Sequence, residues 1–300
     1  MFKIAWAPDY RLELPENHRF PMEKYRLVPE QLVYENTLSE AQFFRPQPLS
    51  PEGMLLVHDA GYVERMLGNT LHDKELRAIG FPRSEALILR ERIIMQGTVD
   101  AARLALEHGI AANFAGGTHH AFAGRGEGFC LMNDFALAAA HLLAEKRIHK
   151  ALIFDLDVHQ GNGSAHIFRD EPRVFTFSMH GRHNYPHHKE RSDIDIELDD
   201  GTGDTEYLAL TARWIEETLD TAEPDIVFYL CGVDVLASDK LGRLALSREG
   251  CKERDRLVLQ ACRRHKVPVC FALGGGYSPH IRDIVEAHAN TFRLAMEIYG

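Results

Sequence analysis

The chain has 300 residues, of which 45% are hydrophobic, and a formal net charge of −10 at pH 7. No Pro/Ser-rich linker, charge block or low-complexity run divides it, so we predict one α/β domain over residues 1–300. The acidic balance argues against a nucleic-acid partner, which normally leaves a basic patch. No segment reaches about 18 uninterrupted apolar residues, so we predict no membrane span and no membrane partner.

The cysteines are odd in number, widely spaced and without a C-x-x-C pair; they are Cys130, Cys231, Cys251, Cys262 and Cys270. Buried thiols in a reducing compartment are the simplest interpretation, and they predict a cytoplasmic protein. The N-terminal MFKIAWAPDY lacks the length and cleavage pattern of a signal peptide and reads as a first strand.

In chain order, this first strand is followed by an irregular stretch to about residue 80, with short helical patterns at 29–42 and 60–67. A long helix is predicted from Ser84 to His108, with Gly109 as its stop signal. The elements predicted beyond it are strand 110–114, helix 131–146, strand 151–156, helix 162–168, strand 174–179, helix 204–221, strand 225–231, helix 247–265, strand 268–273 and helix 280–297. Continuous apolar strands joined by amphipathic helices predict a parallel sheet covered on both faces.

The most informative segment, residues 154–163, reads FDLDVHQGNG. Alternate side chains of a strand point the same way, so Asp155, Asp157 and His159 leave it on one face. Two carboxylates and an imidazole placed there can converge on one cation. Taken alone, the pattern is more typical of a strand end capped by polar residues than of a metal site.

Three other apolar strands end in complementary groups. NFAGGTHHA ends in the pair His119 and His120, LCGVD ends in Asp234, and FALGGGY ends in three glycines and Tyr277. Each is a weak signal alone, because paired histidines and glycine runs are common in loops. Together, four strand ends supply the groups that a hydrolytic site requires.

In this order the segments resemble the histone deacetylase superfamily, the zinc-dependent branch of the arginase-deacetylase fold. The matching signatures are GGxHHA, GFCxxND (residues 128–134), DxDxHxGNG and GGGY, and the resemblance begins at HRFPMEKY, residues 18–25. That early stretch and residues 160–162 resemble the compact bacterial and class IV enzymes. The resemblance implies an α/β fold with a central, mainly parallel eight-stranded sheet and helices on both faces.

The resemblance implies that Asp157, His159 and Asp234 hold a catalytic zinc, with coordination places left for water and substrate. Two oxygen ligands would also accept Fe²⁺ or Co²⁺. The alternative for Asp234 is that it caps a helix after its strand. The resemblance further implies a structural potassium site, formed by Asp155, Ser178 and Met179.

The resemblance also implies roles for the two histidines and the tyrosine. His120 would take a proton from the attacking water and return it to the leaving amine, while His119 orients and assists electrostatically. Asp155 is the expected partner of His119. Asn162 stands where class I members place an aspartate that pairs with the second histidine, so we expect a lower working pKa for His120. Tyr277 would donate a hydrogen bond to the oxyanion.

An apolar slot around the site would accept the methylene stem of a lysine or a similar amine. The residues expected beside the substrate are Phe129, Tyr185, Leu241, Gly128 and Gly275, with ordinary core packing as the alternative for the three larger side chains. Residues 80–82 read Gly-Phe-Pro where class I members carry a rim aspartate that grips the substrate backbone. This departure favours a small substrate over a peptide.

The leading hypothesis is therefore a zinc-dependent deacylase of acyl-lysine in proteins or peptides, acting as a stand-alone catalytic domain. A small-molecule amidohydrolase, for instance one acting on acetylpolyamines, is the alternative within the same chemistry. A non-catalytic acyl-binding protein would have no need for the complete set of His119, His120 and Tyr277. A binuclear manganese ureohydrolase would need further Asp and His ligands. Acyl length and oligomeric state are not predicted.

Overall fold

The computed structural model describes residues 1–300 and places the apolar runs of the chain in eight strands. These are β1 (Lys3–Ala5), β2 (Phe43–Phe44), β3 (Ile110–Asn113), β4 (Ala151–Asp155), β5 (Val174–Gly181), β6 (Ile194–Leu198), β7 (Ile226–Leu230) and β8 (Val269–Ala272). All pair in parallel in one sheet, in the order β2-β1-β3-β8-β7-β4-β5-β6. The predicted α/β fold with an eight-stranded sheet is confirmed.

Ten α-helices and two short 3₁₀ turns (Pro8–Tyr10 and Glu40–Gln42) accompany the sheet. The helices are α1 (Lys24–Tyr34), α2 (Pro51–Met54), α3 (Ala60–Leu67), α4 (Asp73–Ile79), α5 (Glu85–His108), α6 (Asp134–Ala144), α7 (Asn162–Phe168), α8 (Asp204–Ala222), α9 (Arg248–His265) and α10 (Ile281–Tyr299). The larger helices pack in two groups, α5 with α6 and α1 with α10, α9 and α8. Strands β4 and β7 are buried at every residue, as expected for a sheet covered on both faces.

Helix α5 shows how local sequence sets the limits of an element. The Ser84 hydroxyl accepts a hydrogen bond from the Leu87 backbone N–H at 3.0 Å, which caps the first turn. Gly109 ends the helix with φ +82°, a left-handed conformation that glycine adopts without steric cost. The predicted bounds of this helix therefore agree with the observed ones.

Helix α1 begins five residues before the predicted start, and Pro29, which the pattern took as the first helical residue, lies inside it. Proline has no N–H, so the carbonyl four residues earlier, that of Tyr25, loses its helical donor. The indole N–H of Trp6 replaces that donor, at 3.1 Å from the Tyr25 oxygen. A contact from the residue that follows β1 thus stabilises a helix that the local pattern places too late.

Strands β2 and β6 at the two sheet edges were not predicted from the local pattern. Strand β2 has only two residues. The sequence of β6, IDIEL, alternates apolar and acidic residues, which is typical of an edge strand with one exposed face. That alternation was the available signal for β6.

The register aligns the strand ends that carry the candidate site. Asn113 pairs with Ala272, Ala272 with Leu230, and Leu230 with Asp155. The loops after β3, β8, β7 and β4 therefore leave the sheet side by side at one edge. Ligand sites of open parallel sheets lie at this carboxyl edge.

A single cluster of 83 buried hydrophobic residues joins the sheet to both helix groups, so the chain forms one domain. The five cysteines are all buried and unpaired. None of the helices combines the length and the apolar character needed to cross a bilayer.

Candidate active site

The turn that presents the histidine pair is built around the buried carboxylate of Asp134. Its oxygens accept hydrogen bonds from the backbone N–H groups of Gly117 at 3.1 Å and Thr118 at 2.8 Å. A Cβ at Gly116 would lie 2.2 Å from the same carboxylate, so only glycine fits there. The GFCxxND segment therefore holds the GGTHH turn in shape, a link that the sequence does not show.

The side chains of Asp157, His159 and Asp234 converge as predicted. Their candidate ligand atoms all lie within 4.8 Å of one another, and all three residues are buried. The Nδ1 atom of His159 lies 3.0 Å from Asp157 Oδ1 and 3.2 Å from Asp234 Oδ2. Asp234 thus faces the other two side chains and does not cap a helix.

The charge balance of these three groups fits a divalent cation. Burial and the adjacent Asp157 carboxylate raise the pKa of Asp234 to about 7. Burial alone would lower the pKa of His159, but its contacts with the two carboxylates raise it to about 10. Asp234 Oδ2 is buried without a hydrogen-bond partner. An N and O donor set with an unsatisfied buried oxygen is one that zinc or another divalent ion would complete.

Glycine in the GGGY loop allows these carboxylates to lie against the backbone. The Gly275 N–H donates to Asp157 Oδ2 at 2.9 Å. A Cβ at Gly275 would lie 1.8 Å from Asp234 Oδ2, closer than any real contact. Gly275, which we expected beside the substrate, therefore lies against the candidate metal ligands.

His119 and His120 lie with their ring centroids 4.1 Å apart but have different partners. The Nδ1 atom of His119 lies 2.6 Å from Asp155 Oδ2, and that of His120 lies 2.7 Å from Asn162 Oδ1. Burial lowers the pKa of His119, but the Asp155 carboxylate outweighs it and raises that pKa.

The pKa of His120 is held well below its ordinary value, first by burial and then by the neighbouring His119 and His159. The hydrogen bond that Asn162 Oδ1 accepts from the ring acts in the opposite direction and raises this pKa. The direction agrees with our expectation for His120, whereas its main cause is burial rather than the absence of a carboxylate at position 162.

Tyr277 reaches the site from the loop after β8, its ring centroid 6.4 Å from that of His159. The Asp239 carboxylate accepts a hydrogen bond from the Tyr277 backbone N–H at 2.5 Å and fixes the loop there. Burial and the carboxylates of Asp234 and Asp157 raise the pKa of Tyr277 well above 10, so its hydroxyl stays protonated at neutral pH.

Two buried cations support the loops from behind, and the sequence analysis did not identify either of them. The Nζ atom of Lys24, in the HRFPMEKY segment, donates to the Gly274 carbonyl at 2.6 Å. The guanidinium of Arg254, on α9, donates to the Gly232 carbonyl at 2.7 Å and pairs with Asp255. The available signal for Arg254 was its position beside Asp255, among the residues of α9 that face the core.

An aromatic wall stands on one side of the site opening. Phe129 packs edge-on against Phe20, with centroids 5.1 Å apart, and lies 5.9 Å from the Tyr277 ring. Phe81, in the segment compared with the one that carries the rim aspartate in class I enzymes, is 3% exposed and packs into the same wall. Pro82, the exposed third residue of that segment, has no polar side-chain group with which to hold a substrate backbone.

The opening is a cavity of about 220 Å³ that leads to the histidines. Its lining includes all three of the predicted wall residues, Phe129, Tyr185 and Leu241, together with Gly128. Arg19 is the one lining residue with a permanent charge, and its guanidinium lies 5.1 Å from the Phe129 ring centroid. No carboxylate lines this cavity.

The predicted potassium-site residues lie on neighbouring strands, since Asp155 pairs with Ser178 in the register of β4 and β5. Met179 follows Ser178 and is fully buried. The Asp155 carboxylate is already engaged by His119 and by the Asp157 backbone N–H at 3.0 Å. The potassium site stays a prediction.

The fold and the site together define a protein of the arginase-deacetylase fold. The crystal structure of a histone deacetylase homologue from Aquifex aeolicus matches it with a TM-score of 0.84 and 25% identity, covering 100% of this chain and 84% of that one. A homologue solved in complex with SAHA matches equally well. The HDA15 HD domain, at 19% identity and a TM-score of 0.81, covers 99% of this chain and 88% of that one and shares the fold.

A model of the histone deacetylase domain matches residues 18–292, and the chain belongs to the histone deacetylase family. An uncharacterized protein of Picosynechococcus sp. is 44% identical over 99% of both chains. Histone deacetylase 2 of Arabidopsis thaliana is 32% identical, covering 91% of this chain and 74% of that protein. The acetoin utilization protein AcuC of Staphylococcus aureus is 28% identical, with 92% and 77% covered. These relationships confirm the predicted family and support a deacetylase of the hydrolase class.

Proposed function

We propose that this protein hydrolyses the N-acyl amide of a lysine side chain, most readily acetyl-lysine, with a zinc ion held by Asp157, His159 and Asp234. The observation that carries the proposal is the convergence of this buried Asp-His-Asp group with two differently partnered histidines and a phenol at the base of one cavity. Each of these groups has a distinct task in amide hydrolysis.

The bound zinc would polarise the substrate carbonyl and make water a stronger nucleophile at neutral pH. The two carboxylate ligands would also accept Fe²⁺ or Co²⁺, so zinc is the proposed ion rather than the only one that fits. Buried Lys24 and Arg254 hold the carbonyls behind these ligands and keep the loops from moving apart.

The proton chemistry is assigned to the histidine pair. His120 is neutral at pH 7, so the unprotonated nitrogen of its ring can accept the proton of the attacking water. The same nitrogen then returns the proton to the leaving amine. His119, whose pKa is raised by Asp155, supplies positive charge beside the site as negative charge develops on the substrate.

Tyr277 is assigned to the oxyanion that develops on the substrate carbonyl. Its raised pKa keeps the hydroxyl proton available for donation. A donor that is fixed in advance stabilises the transition state more than the resting substrate. The fixed position here comes from the hydrogen bond between the Tyr277 backbone and Asp239.

The opening favours acyl-lysine over an acylated polyamine as substrate. An apolar wall suits a methylene stem, and a free polyamine ammonium would find Arg19 and no carboxylate in the cavity. We retain a structural potassium site at Asp155, Ser178 and Met179, and a cytoplasmic location, as parts of this proposal.

The test is turnover of acetyl-lysine peptides, longer acyl-lysine peptides and acetylpolyamines by purified protein with measured metal content. We expect acetyl-lysine peptides to have the highest kcat/KM. Asp157→Ala and Asp234→Ala should lose both the metal and the activity. Preference for an acetylpolyamine would establish the small-molecule alternative, and full activity in either metal-free variant would contradict the proposed site.

A further inference from the structure

Behind His120 lies a chain of hydrogen bonds that ends in an acidic residue with no role assigned so far. The side-chain oxygen of Asn162 accepts a hydrogen bond from His120 Nδ1 at 2.7 Å. The side-chain nitrogen of Asn162 donates to Glu127 Oε1, also at 2.7 Å. The hydroxyl of Tyr185 donates to the same Glu127 oxygen at 2.8 Å. We propose that Glu127 is a positioning residue that selects the tautomer of His120 through the Asn162 amide.

The selection follows from what each group can donate or accept. A carboxylate only accepts, so the Asn162 nitrogen must face Glu127 and the Asn162 oxygen must face His120. An amide oxygen also only accepts, so His120 Nδ1 must carry the proton. Nε2 of His120 is then left with the free electron pair, as a general base requires.

Without Glu127 the Asn162 amide could rotate by 180° and donate to His120 Nδ1. That arrangement would favour a proton on Nε2, and the imidazole could no longer take the proton of the attacking water. An aspartate bonded directly to His120 could not favour the wrong tautomer, because a carboxylate has no hydrogen-bond donor. An asparagine at this place therefore needs a second acidic residue behind it, and Glu127 supplies one.

The surroundings hold Glu127 in this position. Its side chain is only 16% exposed. The two residues that follow it are pinned by backbone hydrogen bonds, from Gly128 to the Ala78 carbonyl at 3.0 Å and from Phe129 to the Ile79 carbonyl at 2.7 Å. Tyr185 packs its ring edge-on to His120, with centroids 4.9 Å apart, and covers the contact.

This inference rests on the proposed function, in which His120 is the base. The first experiment compares Glu127→Ala and Glu127→Gln, with exposed Glu64→Ala on α3 as the control. Glu127→Ala should lower kcat at least about tenfold and at most about 10⁴-fold, the cost of a wrong imidazole tautomer in a serine-protease triad, with little change in KM. The Glu127→Gln amide can donate as well as accept, so it orients Asn162 less strictly than the carboxylate does, and its kcat should fall between those of the wild type and Glu127→Ala.

The second experiment repeats Glu127→Ala in the Asn162→Asp background. A carboxylate beside His120 needs no orienting partner and is repelled by Glu127, so the loss of Glu127 should not lower kcat in this background. An equal loss of kcat in both backgrounds would overturn the proposal. That result would show that Glu127 acts by its charge or through another contact.

The tautomer is also directly measurable from the ¹⁵N chemical shifts of His120 in zinc-loaded protein, assigned with His120→Gln. We expect a proton on Nδ1 in the wild type and a shift toward a proton on Nε2 in Glu127→Ala. A wild-type proton on Nε2 would overturn the proposal. If no acylated amine is hydrolysed, the proposed function fails while this measurement still decides the role of Glu127.

Discussion

At the scale of single residues, neighbours distinguish the two adjacent histidines. His119 contacts the carboxylate of Asp155, which favours its charged form, whereas His120 contacts the neutral amide of Asn162. Burial disfavours the charged form of both rings, and only the first has a directly bonded negative charge to offset it. Two identical side chains can therefore perform different tasks in one reaction.

We expect His120→Ala to abolish turnover while the metal stays bound, because the proton acceptor is lost and the ligands are not. General acid–base catalysis typically contributes about 10²–10⁴-fold, which sets the expected loss in kcat. His119→Ala should be less severe. Steady-state kinetics and metal analysis of both variants are the measurement, and the reverse order of severity would mean that the two roles are exchanged.

Tyr277→Phe tests the oxyanion donor, because it removes one hydroxyl and little volume. The loss of one such donor typically lowers kcat by about 10²–10³-fold, or about 3–4 kcal/mol of transition-state stabilisation. KM, metal content and Tm should hardly change. Tyr34→Phe, at a tyrosine that is 89% exposed, is the matched control. A Tyr277→Phe variant with more than half of the wild-type kcat would require another donor.

At the scale of the element, the loop after β8 leaves space for the candidate metal ligands because it is made of glycines. Gly275 brings its backbone N–H to Asp157, and the missing side chain leaves room for Asp234. The carbonyl of Gly274 is held by the buried ammonium of Lys24, from the chain segment that enters α1. A residue near the N-terminus thus helps to fix a loop near the C-terminus.

Gly275→Ala should therefore weaken metal binding without changing a metal ligand. The new methyl group would lie 1.8 Å from Asp234 Oδ2 and 2.8 Å from Asp157 Oδ2, so the carboxylates or the loop must move. We expect at least a tenfold rise in the Kd for zinc, measured by competition with a chelator, since second contacts around metal ligands typically contribute about 10–100-fold.

Gly61→Ala is the control for that substitution. Its new methyl group would meet only Arg65 Nη1, at 3.7 Å, on an exposed turn of α3. Its zinc affinity should equal that of the wild type. Unchanged zinc affinity in Gly275→Ala as well would mean that the loop adapts and that the close approach is not needed.

At the scale of the whole molecule, His58 joins the N-terminal helices to the loops of the site. Its Nδ1 lies 3.1 Å from the Phe122 carbonyl, and its Nε2 accepts from the Asn133 backbone N–H at 3.2 Å. Burial lowers the pKa of His58 to about 4. The ring is therefore neutral in the folded protein, as its acceptor role requires.

This lowered pKa predicts a loss of stability in acid. The unfolded chain binds a proton at His58 below about pH 6.5 and the folded chain only below about pH 4, so stability falls as the pH drops through that window. Between pH 7.5 and 4.5 the contribution is roughly 2–3 kcal/mol. Denaturant unfolding of metal-free protein at both pH values should show this additional loss in the wild type and not in His58→Gln.

The control for the acid experiment is His149→Gln, at an exposed position. It should lose as much stability in acid as the wild type does, because the buried His58 is unchanged in this variant. Equal losses in wild type, His58→Gln and His149→Gln would show that the buried His58 is not a source of acid sensitivity.

The strand ends were predictable because each depends on a short segment. An apolar run followed by Asp157 and His159, or by Gly275 and Tyr277, carries its own periodicity and turn chemistry, and parallel strands bring their carboxyl ends to one edge. The start of α1 was not predictable in this way. Its Pro29 is tolerated only because Trp6, far along the chain, satisfies the freed carbonyl.

By itself, the sequence determined the α/β class and the strands that end in reactive side chains, because each follows from a local pattern. Its resemblance to the family implied the Asp157, His159 and Asp234 group. Only the tertiary structure decided that Lys24 and Arg254 support the loops from behind, that Phe81 is turned into the wall, and that Glu127 lies behind Asn162. These contacts join residues that are far apart along the chain. Their free energy depends on burial and direction, which arise only when the sheet and its two helix layers are assembled.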